Sequence, residues 1–392
     1  MPKKISEIFT FFQSVKKIPQ ADWNVLIPKN SVYLSLRYLT ALEETLKGTI
    51  KPIYVLVYDS EKKPLLAGMF QIATFTYKKT SQQNLFIKLF QDCRNEDDSF
   101  SIKGLVCGNM FATGEHGFAY SEKISKPNAL EFLAKAAKII QKDSRWEGLF
   151  KVILFKEFWP QSIANASVLE DYKYRDFQAD VNMVLKLHPS WKTFSDYLKS
   201  MKAKYRTKAK NAFKKSEKLI IRSLSSEEIM QHQNGIQQLF RNVLDKSGYR
   251  YGENYPASFA ALKENLGDLF LCKGVFLEGN LIAFSTAFLN GDALEANYVG
   301  LDYKYNTEYA VYERLLYDYV EEAIALKVAE LHLGRTSELI KSAVGAVPVS
   351  MTLYARHTSK IKNVLLKPIL ENIEPSAFEL RRPFAEYLYL QP

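Results

Sequence analysis

The stretch that decides the fold is LFLCKGVFLEGNLIAFSTAFLNGDALEANYVGLD, residues 269–302, which opens a longer segment running from Leu269 to Arg356. It contains three runs of β-branched, aromatic and aliphatic residues. Glu-Gly-Asn at 278–280 and Asn-Gly-Asp at 290–292 separate these runs. Glycine beside asparagine or aspartate between such runs is a hairpin signal. The pattern therefore predicts three antiparallel strands.

The next stretch, TEYAVYERLLYDYVEEAIALKV at 307–328, repeats large apolar residues at helical spacing. These residues are Tyr309, Tyr312, Leu316, Tyr319, Val320, Ala323 and Ile324. Their spacing predicts an amphipathic helix of about six turns. A short strand (AELHLG), a turn with a short helix (RTSELIKSAVGA) and a last strand (VSMTLYARH) follow. The order β-β-β-α-β-α-β is a meander followed by a crossover helix.

This order resembles the C-terminal half of the GNAT superfamily of N-acyltransferases, and more closely its Fem-like branch of peptidoglycan-bridge aminoacyltransferases. The residues that carry the resemblance are YVGLDYKYNTEYAVYERLLYDYVEEAIA and LHLGRTSELIKSAVGAVPVSMTLY, roughly a quarter of the chain. They give a strand ending at Gly300, a long helix, a strand ending in Gly334, and Lys341 before Gly345. The chain departs from the pattern after Gly300, because LDYKYNTEYA lacks the two glycines of the usual acetyl-CoA pyrophosphate loop.

Length and composition predict a globular protein of two domains, since the chain has 392 residues and is 47% hydrophobic. No apolar run is long enough for a transmembrane helix, and the N-terminus lacks the features of a signal peptide. The three cysteines and five histidines are scattered without metal-ligand or disulfide spacing. We therefore expect a cytoplasmic protein without a metal.

The N-terminal half repeats the plan of strands, a helix and more strands. Helices are predicted within 1–20, over 35–47 and over 127–142, the last beginning at Pro127 as suits a first turn. Strands are predicted between 50 and 187, including LFIKLF at 85–90. The phrase LRYLTALEET resembles the first helix of the Fem-like branch. The expected fold class is therefore α+β (mixed α/β), with two GNAT-like domains in tandem, each a mainly antiparallel sheet flanked by helices.

A long basic helix is predicted between the two domains. Apolar residues recur every three or four positions across 190–218, which predicts about eight helical turns. The segment 199–218 holds nine lysines and arginines and one glutamate, or +8 of the chain's net +10. The expected boundaries are 1–187 for the first domain, 188–225 for the basic helix and the strand after it, and 226–392 for the acyltransferase domain.

The cations of this helix predict a track for phosphates of tRNA, a nucleotide or an envelope precursor. The alternative is a solvated helix face, but so few acids leave little scope for pairing along the helix. In the Fem-like branch the matching sequence lies beside the substrate cleft. The resemblance therefore implies that Tyr205 and Arg206 contact substrate or donor.

A second candidate site is the loop GNMFATGEHG at 108–117, whose glycines permit close approach to a ligand. Gly114 is a candidate for that contact, and Glu115 and His116 are candidate general bases. The alternative is a glycine-rich turn with a surface Glu-His pair. No phosphate-loop ending of Gly-Lys-Ser/Thr is present.

Further candidates lie on the C-terminal elements. Strand alternation in LEANYVG predicts that Glu295 and Asn297 face one side and Tyr298 the other. The resemblance implies an oxyanion contact at a backbone N–H near Tyr298–Gly300. Arg335 and Lys341 could converge on one anion, Arg335 in a bidentate manner. We expect Ser337 to cap the short helix, and Glu338, Lys341 and Ser342 to face away from the core. The alternatives are that Glu295 and Asn297 face water on a half-exposed sheet, and that Arg335 and Lys341 are solvated cations on a loop.

The predicted function is therefore N-acyl transfer to an amine. The donor would be an acyl-CoA or an aminoacyl-tRNA, and the acceptor a small molecule or a cell-envelope precursor. Possible partners are tRNA and an anionic membrane surface. The alternative function is non-catalytic binding of tRNA or of an anionic envelope precursor, and the missing glycine pair after Gly300 favours it.

Overall fold

A computed structural model describes residues 8–46, 48, 51–78, 93–94, 99–247, 254–370 and 378–389. The strands are β1 (Ile8–Phe12), β2 (Lys51–Tyr58), β3 (Pro64–Lys78), β4 (Cys93–Arg94), β5 (Ser99–Cys107), β6 (Phe118–Tyr120), β7 (Val152–Phe158), β8 (Arg175–Lys186), β9 (Ile220–Ser223), β10 (Phe270–Leu277), β11 (Asn280–Asn290), β12 (Ala293–Leu301), β13 (Glu330–His332) and β14 (Val347–His357). The α-helices are α1 (Gln20–Asn24), α2 (Leu36–Thr45), α3 (Lys126–Lys142), α4 (Ile163–Ala166), α5 (Phe194–Ser200), α6 (Ala203–Lys215), α7 (Ser226–Gln231), α8 (Gln233–Ser247), α9 (Phe259–Leu266), α10 (Tyr303–Tyr309), α11 (Val311–Ala325), α12 (Glu338–Ala343) and α13 (Lys360–Leu370).

The described chain divides into two compact units. The first holds residues 8–179 and 350–370, and the second holds 180–247, 254–349 and 378–389. The segment predicted as a basic helix therefore packs within the second unit.

The first unit is a sheet in the order β1-β2-β3-β5-β7-β14. Its neighbours are antiparallel except β5 and β7, which run parallel from Gly104↔Val152 to Cys107↔Phe155. Parallel neighbours need a crossover connection, and α3 provides it. Ser125 caps α3 through a capping box with Asn128. The apolar face of α3 is buried, since its Leu130, Leu133, Ala137 and Ile140 are 0% exposed.

The second unit repeats this plan in the order β8-β13-β12-β11-β10-β9. Only β12 and β13 are parallel, and α11 is the crossover helix between them. One face of this sheet packs against α5, α6 and α11, which share a core with strand residues such as Met183, Leu294 and Leu331. Helices α8 and α9 pack against β12 and β10. The predicted β-β-β-α-β-α-β order is confirmed from β10 to β14, with α10 as an additional helix ahead of α11 and with β14 in the sheet of the first unit.

The predicted N-terminal helix is wrong over the part that the structure describes. Ile8–Phe12 forms β1, which pairs with β2 from Ile8↔Tyr58 to Phe12↔Tyr54. Aromatic and β-branched residues favour a strand when a partner strand is available, and helical spacing alone could not reveal that partner. The strand predicted at 85–90 lies outside the described residues.

The single basic helix predicted over 190–218 is two helices, α5 and α6. Met201 and Lys202 between them are extended, with ψ angles of 146° and 147°. Met201 forms a β-bridge with Phe384, and the Lys202 N–H donates to the Pro383 carbonyl at 2.7 Å. Backbone bonds to the distant segment 378–389 thus replace those that a continuous helix would make.

The crossover helix begins later than its apolar spacing predicts. Tyr309 belongs to α10, and α11 starts at Val311 after Ala310, whose φ is 50°. A left-handed residue ends a helical run, so the predicted six turns are a shorter helix preceded by a separate one.

The aromatic ring of Phe384 fixes the segment 378–389 to the second unit. It is 2% exposed and lies 5.1 Å from the Trp191 ring and 5.6 Å from the Tyr197 ring, measured between centroids. A Cβ on Gly345 would come within 2.1 Å of its Cε2 atom, so glycine is required opposite the ring. Gly345 also has a φ of 98°, which favours glycine.

We expect Phe384→Ala to lower the free energy of unfolding by about 3–5 kcal/mol, because it leaves a cavity among aromatic rings. Chemical denaturation of the full chain measures this loss. Tyr387→Ala is the matched control, since Tyr387 lies in the same segment and is 68% exposed. Equal stability of the two variants would contradict the role of Phe384.

Candidate active site

The parallel strands β12 and β13 part after a short pairing in the second unit. They pair only from Ala293↔Glu330 to Glu295↔His332. Beyond this point the chain after β13 bonds to β8 instead: the Leu333 N–H donates to the Met183 carbonyl at 2.8 Å, and the Met183 N–H donates to the Gly334 carbonyl at 3.0 Å. Among the described residues, no strand pairs with β12 on this side between Ala296 and its end at Leu301. Polar groups near this point can therefore face a ligand without competing for sheet hydrogen bonds.

A β-bulge lies on β12 where the strands part. The register shift between Ser285 and Ala287 of β11 places Asn297 and Tyr298 opposite Thr286. The Thr286 Oγ1 accepts from the Tyr298 N–H at 3.0 Å, and the Thr286 hydroxyl donates to the Tyr298 carbonyl at 3.2 Å. A bulge interrupts the alternation of side chains along a strand.

The bulge overturns the prediction that Tyr298 faces away from Glu295. The Tyr298 ring lies 5.2 Å from Phe240 of α8 and 5.1 Å from Tyr255, so it points to the side of the sheet covered by α8. Glu295 is paired with Phe288 across β11 and β12, so the two side chains point to the same side of the sheet. The Phe288 ring contacts the Phe270 ring, which contacts Phe259 of α9, and this is the side to which Tyr298 also points. Burial raises the pKa of Tyr298, so its phenol stays protonated near neutral pH and is able to donate a hydrogen bond.

Gly300 serves packing in this structure. A Cβ there would lie 2.1 Å from the Phe284 ring and 2.9 Å from the Leu239 carbonyl carbon. Only glycine lets α8 approach β12 this closely. The predicted role of Gly300 in donor binding stays a prediction.

The polar segment after β12 forms α10 where the resemblance would place a glycine-rich loop. Asp302 caps α10 by accepting from the Lys304 N–H at 3.2 Å. The Asn306 Oδ1 accepts from the Tyr312 N–H at 2.9 Å, in the first turn of α11. A side chain of the protein therefore satisfies a donor that would otherwise be available to a phosphate.

Lys341 is buried, and the prediction that it faces away from the core is wrong. It is 5% exposed, Ser342 is 0% exposed, and the apolar Leu339 is 38% exposed. The Ser342 Oγ accepts from the Arg381 N–H at 3.2 Å, so the segment 378–389 covers this face of α12. The predicted Ser337 cap is also absent: Ser337 has a φ of 57° and makes no capping side-chain bond. A helix of six residues is too short for the spacing of its apolar residues to predict which face is buried.

The Lys341 amine is held at the point where β13 leaves β12. Its Nζ donates to the Arg335 carbonyl at 2.5 Å, and Arg335 follows Gly334, where an added Cβ would lie 3.9 Å from the Ala296 carbonyl oxygen. Burial lowers the pKa of Lys341 to about 7, which nearby Glu338 only partly offsets. The structure thus brings Arg335 and Lys341 together through a main-chain carbonyl, and it provides an amine that titrates near neutral pH.

The basic segment supplies a cationic groove of about 290 Å³ in the second unit. Its lining residues are Lys204, Tyr205, Thr207, Lys208, Asn211 and Arg381. Lys208 also pairs with Glu313 of α11 at 3.2 Å. Sequence reasoning found the α6 residues and missed Arg381, which lies far along the chain and is brought here by the segment that Phe384 anchors.

Arg206 is held at the end of α5 and is not among the lining residues of the groove. Its Nη1 donates to the carbonyls of Lys199 and Met201, each at 3.2 Å. These are carbonyls that a helix end leaves without partners, so Arg206 stabilises the break between α5 and α6. Its predicted contact with a donor phosphate stays a prediction.

The loop at 108–117 is closed by side chains of its own unit. The Gly114 N–H donates to Glu157 Oε2 at 2.8 Å, and Glu115 accepts from the Trp159 N–H at 2.9 Å and pairs with Lys126. The His116 ring lies 4.4 Å from that of Tyr33. Gly114, Glu115 and His116 are therefore brought together, within a packed loop.

Sequence reasoning missed the residues that close this loop. Lys156 and Glu157 form an ion pair of 2.7 Å, and they are 8% and 0% exposed. They form a bulge on β7, since Phe155 and Phe158 pair with Tyr354 and Thr352 of β14. Lys156 and Glu157 interrupt the otherwise apolar strand sequence VILFKEF, and this interruption is the sequence signal that could have revealed the buried ion pair.

The contacts of Glu115 indicate that it also stabilises the fold. We expect Glu115→Gln to lower the free energy of unfolding by about 1–3 kcal/mol, because the Lys126 ammonium loses its carboxylate in a site with 10% exposure. Chemical denaturation tests this, with exposed Glu122→Gln as the control. Unchanged stability together with lost turnover would instead support the catalytic prediction for this loop.

The buried Lys341 amine predicts a pH dependence of stability. Below pH 7 it is protonated in the folded and unfolded states, and its burial penalty is fully present. Between about pH 7 and the ordinary value of 10.5 the folded state has lost the proton that the unfolded state keeps, so stability rises with pH. We expect Lys341→Met to remove that rise, which is at most about 5 kcal/mol.

Denaturant titrations from pH 6 to pH 10 measure this difference. The control is Lys192→Met, a substitution of an exposed lysine in the same unit. A slope in Lys341→Met as steep as in wild type would show that the Lys341 amine is not the titrating group.

Comparisons with known proteins identify the fold. No protein-family model and no curated protein matches the sequence. Among solved structures, FemX is similar with a TM-score of 0.55 at 11% identity, covering 89% of this chain and 96% of its own. A tandem GNAT protein from the clavulanic acid biosynthesis pathway gives 0.53 at 7% identity, covering 90% and 99%. A conserved protein of unknown function from Bacteroides thetaiotaomicron VPI-5482 gives 0.50 at 10%, covering 89% and 99%. The expected tandem GNAT-like, Fem-like fold is confirmed.

Proposed function

We propose that the protein is an N-acyltransferase that joins an amine to an activated acyl group, and that its second unit carries the chemistry. The observation that carries the proposal is the buried Lys341 amine at the parting of β12 and β13. The similarity to FemX and to a tandem GNAT protein supports it at the level of fold. Fold alone does not give function, so the argument rests on the site.

The reaction needs a base, because an amine arrives as an ammonium ion and attacks only after losing a proton. A neutral Lys341 can take this proton, since a general base works best with a pKa near the ambient pH. The amine nitrogen then bonds to the carbonyl carbon, and the bond from that carbon to the thiolate or ribose oxygen breaks. The protonated Lys341 can return its proton to this leaving group, and the neutral amine so restored can take the second proton from the attacking nitrogen and release it to solvent. Glu115 or His116 is the second proposal for the base.

The developing oxyanion needs hydrogen-bond donors, and we assign this contact to the Tyr298 phenol, which burial keeps protonated. The Tyr298 N–H is not assigned this role, because it donates to Thr286 Oγ1 at 3.0 Å. Donors fixed before the reaction stabilise the oxyanion without reorganisation. This assignment moves the predicted contact from a backbone N–H near Tyr298–Gly300 to the side chain of Tyr298.

An aminoacyl-tRNA fits the site better than an acyl-CoA as donor. The Asn306 side chain accepts from the Tyr312 N–H in the first turn of α11. This N–H would be expected to donate to the pyrophosphate of the coenzyme. The cationic groove offers Lys204 and Arg381 to a polyanion. An acyl-CoA stays the alternative donor.

The acceptor proposed is an amine of a small molecule or of a cell-envelope precursor, with peripheral contact to an anionic membrane. In the part of the chain that the structure describes, no helix has the length and apolarity needed to span a membrane. We propose that the protein is cytoplasmic and that the acceptor is a separate molecule.

Non-catalytic binding is the second candidate function. The presence of α10 instead of a glycine-rich loop favours it, because the loop is the usual donor-binding element of the resemblance. Under this alternative the groove would bind a polyanion while no acyl group is transferred.

We expect the acyl-transfer rate, kcat/KM, to rise with pH through about 7, because only the neutral Lys341 accepts a proton. Aminoacyl-tRNA and a panel of amines are the substrates for the assay. Lys341→Met should abolish turnover at every pH while leaving the chain folded.

Lys341→Arg is the discriminating variant, since arginine stays charged at all accessible pH. Loss of activity with Lys341→Arg supports a base, whereas retained activity supports an electrostatic contact. A wild-type profile without a limb near pH 7 would remove Lys341 as the base, and absence of transfer with every donor would favour the binding protein.

The groove should bind polyanions with a strong salt dependence. We expect Arg381→Gln to reduce the slope of log affinity against log salt by about 0.7–0.9 for tRNA, if Arg381 contacts one phosphate. Exposed Lys192→Gln, outside the groove, is the matched control. Equal slopes for these two variants would show that Arg381 makes no phosphate contact.

A further inference from the structure

The first unit contains a cleft of about 430 Å³ that the proposed function does not use. It lies between α2, the start of β2 and the turn that follows α3. Most of its wall is apolar, formed by Leu39, Leu42, Leu46, Pro52, Trp146 and Leu149. A cleft of this size with apolar walls and a few polar groups is the usual form of a small-molecule site.

Gln71 provides a hydrogen-bond donor at the floor of this cleft. It is 2% exposed, and its Oε1 accepts from the Met110 N–H at 2.9 Å. Among the described residues the only acceptor for its Nε2 is the Sδ of Met69, at 3.8 Å. A thioether is a weak acceptor, so a buried amide group here keeps donor capacity for a stronger one. A carbonyl oxygen in the cleft would supply that acceptor.

Glu43, which also lines the cleft, provides an acceptor. Its carboxylate accepts from the Ser14 hydroxyl at 2.9 Å and from the Val15 N–H at 2.7 Å, and it also bonds to Tyr54. An ionised carboxylate has about four acceptor positions, so one is left for a ligand N–H. The lining of the cleft thus combines one donor with one acceptor, which is the complement of an amide group.

A cation lies at the mouth of the cleft. Lys51 is exposed, and no described residue forms an ion pair with it. Arg145, also at the mouth, is already paired with Asp143 at 2.7 Å and lies 4.2 Å over the Trp146 ring. The charge available to a ligand is therefore that of Lys51, and it suits a carboxylate outside the apolar walls.

We propose that this cleft binds an N-acylated apolar amino acid, either free or as the C-terminal residue of a short peptide. Its amide would contact Gln71 and Glu43, its side chain would lie between Leu42 and Trp146, and its carboxylate would face Lys51. This goes beyond the proposed function, since the acyl transfer is assigned to the second unit. The inference does not depend on whether that transfer occurs.

The experiment is ligand-observed NMR titration of the full chain with three probes: N-acetyl-L-leucine, N-acetyl-L-leucinamide and L-leucine. We expect the two acetylated probes to bind and L-leucine to bind at least tenfold more weakly, because it lacks the amide. Leu149→Trp should abolish binding by filling the cleft. The matched control is Ile139→Trp on the exposed side of α3, which should bind as wild type does.

Lys51→Gln separates the carboxylate contact from the rest of the site. It should weaken N-acetyl-L-leucine by about twofold to fivefold, the range of an exposed ion pair, and leave N-acetyl-L-leucinamide unchanged. Lys123→Gln, another exposed lysine of this unit, is the control. Failure of wild type to bind either acetylated probe overturns the proposal. Undiminished binding to a folded Leu149→Trp variant would also overturn it, and these outcomes leave the acyl-transfer assay unaffected.

Discussion

Three residue pairs join β12 to β13 in parallel, and the plan of the second unit depends on this short contact. Parallel strands cannot be joined by a tight turn, so the chain must cross over through α11, whose apolar residues then complete the core beneath β8, β12 and β13. Because the pairing ends after three residues, the chain beyond β13 bonds to β8 and leaves one side of β12 without that neighbour. The turn at Gly334 and the position of the Lys341 amine follow from where the pairing stops.

The two units share this topology and differ in what fills the connection before the crossover helix. In the first unit the connection is the loop at 108–117, which Glu157 and Trp159 close from within the unit. In the second it is α10, with Asn306 bonded to the start of α11. The protein engages polar groups of this connection in both units, and the second unit also holds a titrating amine beside the parting strands. This difference is the reason for placing the chemistry in the second unit.

Much of the fold could be predicted from the sequence because it depends on local patterns. The hairpins around Gly279 and Gly291, and the apolar face of α3, follow from turn residues and periodicity alone. The site could not be predicted to the same degree, because distant segments form it. Lys341 is buried on a helix whose neighbouring Ser342 is covered by residues 378–389, and Arg381 reaches the groove only because Phe384 fits against Gly345. The bulge that turns Tyr298 depends on its pairing with Thr286, which a single strand does not reveal.

The low pKa of Lys341 also limits where donor phosphates can lie. An anion bound beside this amine would favour its charged form and raise its pKa, which would remove the neutral base that the reaction needs. The roles of base and phosphate contact are therefore mutually exclusive at this residue. If Lys341 is the base, the phosphates belong elsewhere, and the groove that includes Lys204 and Arg381 is the cationic surface able to take them.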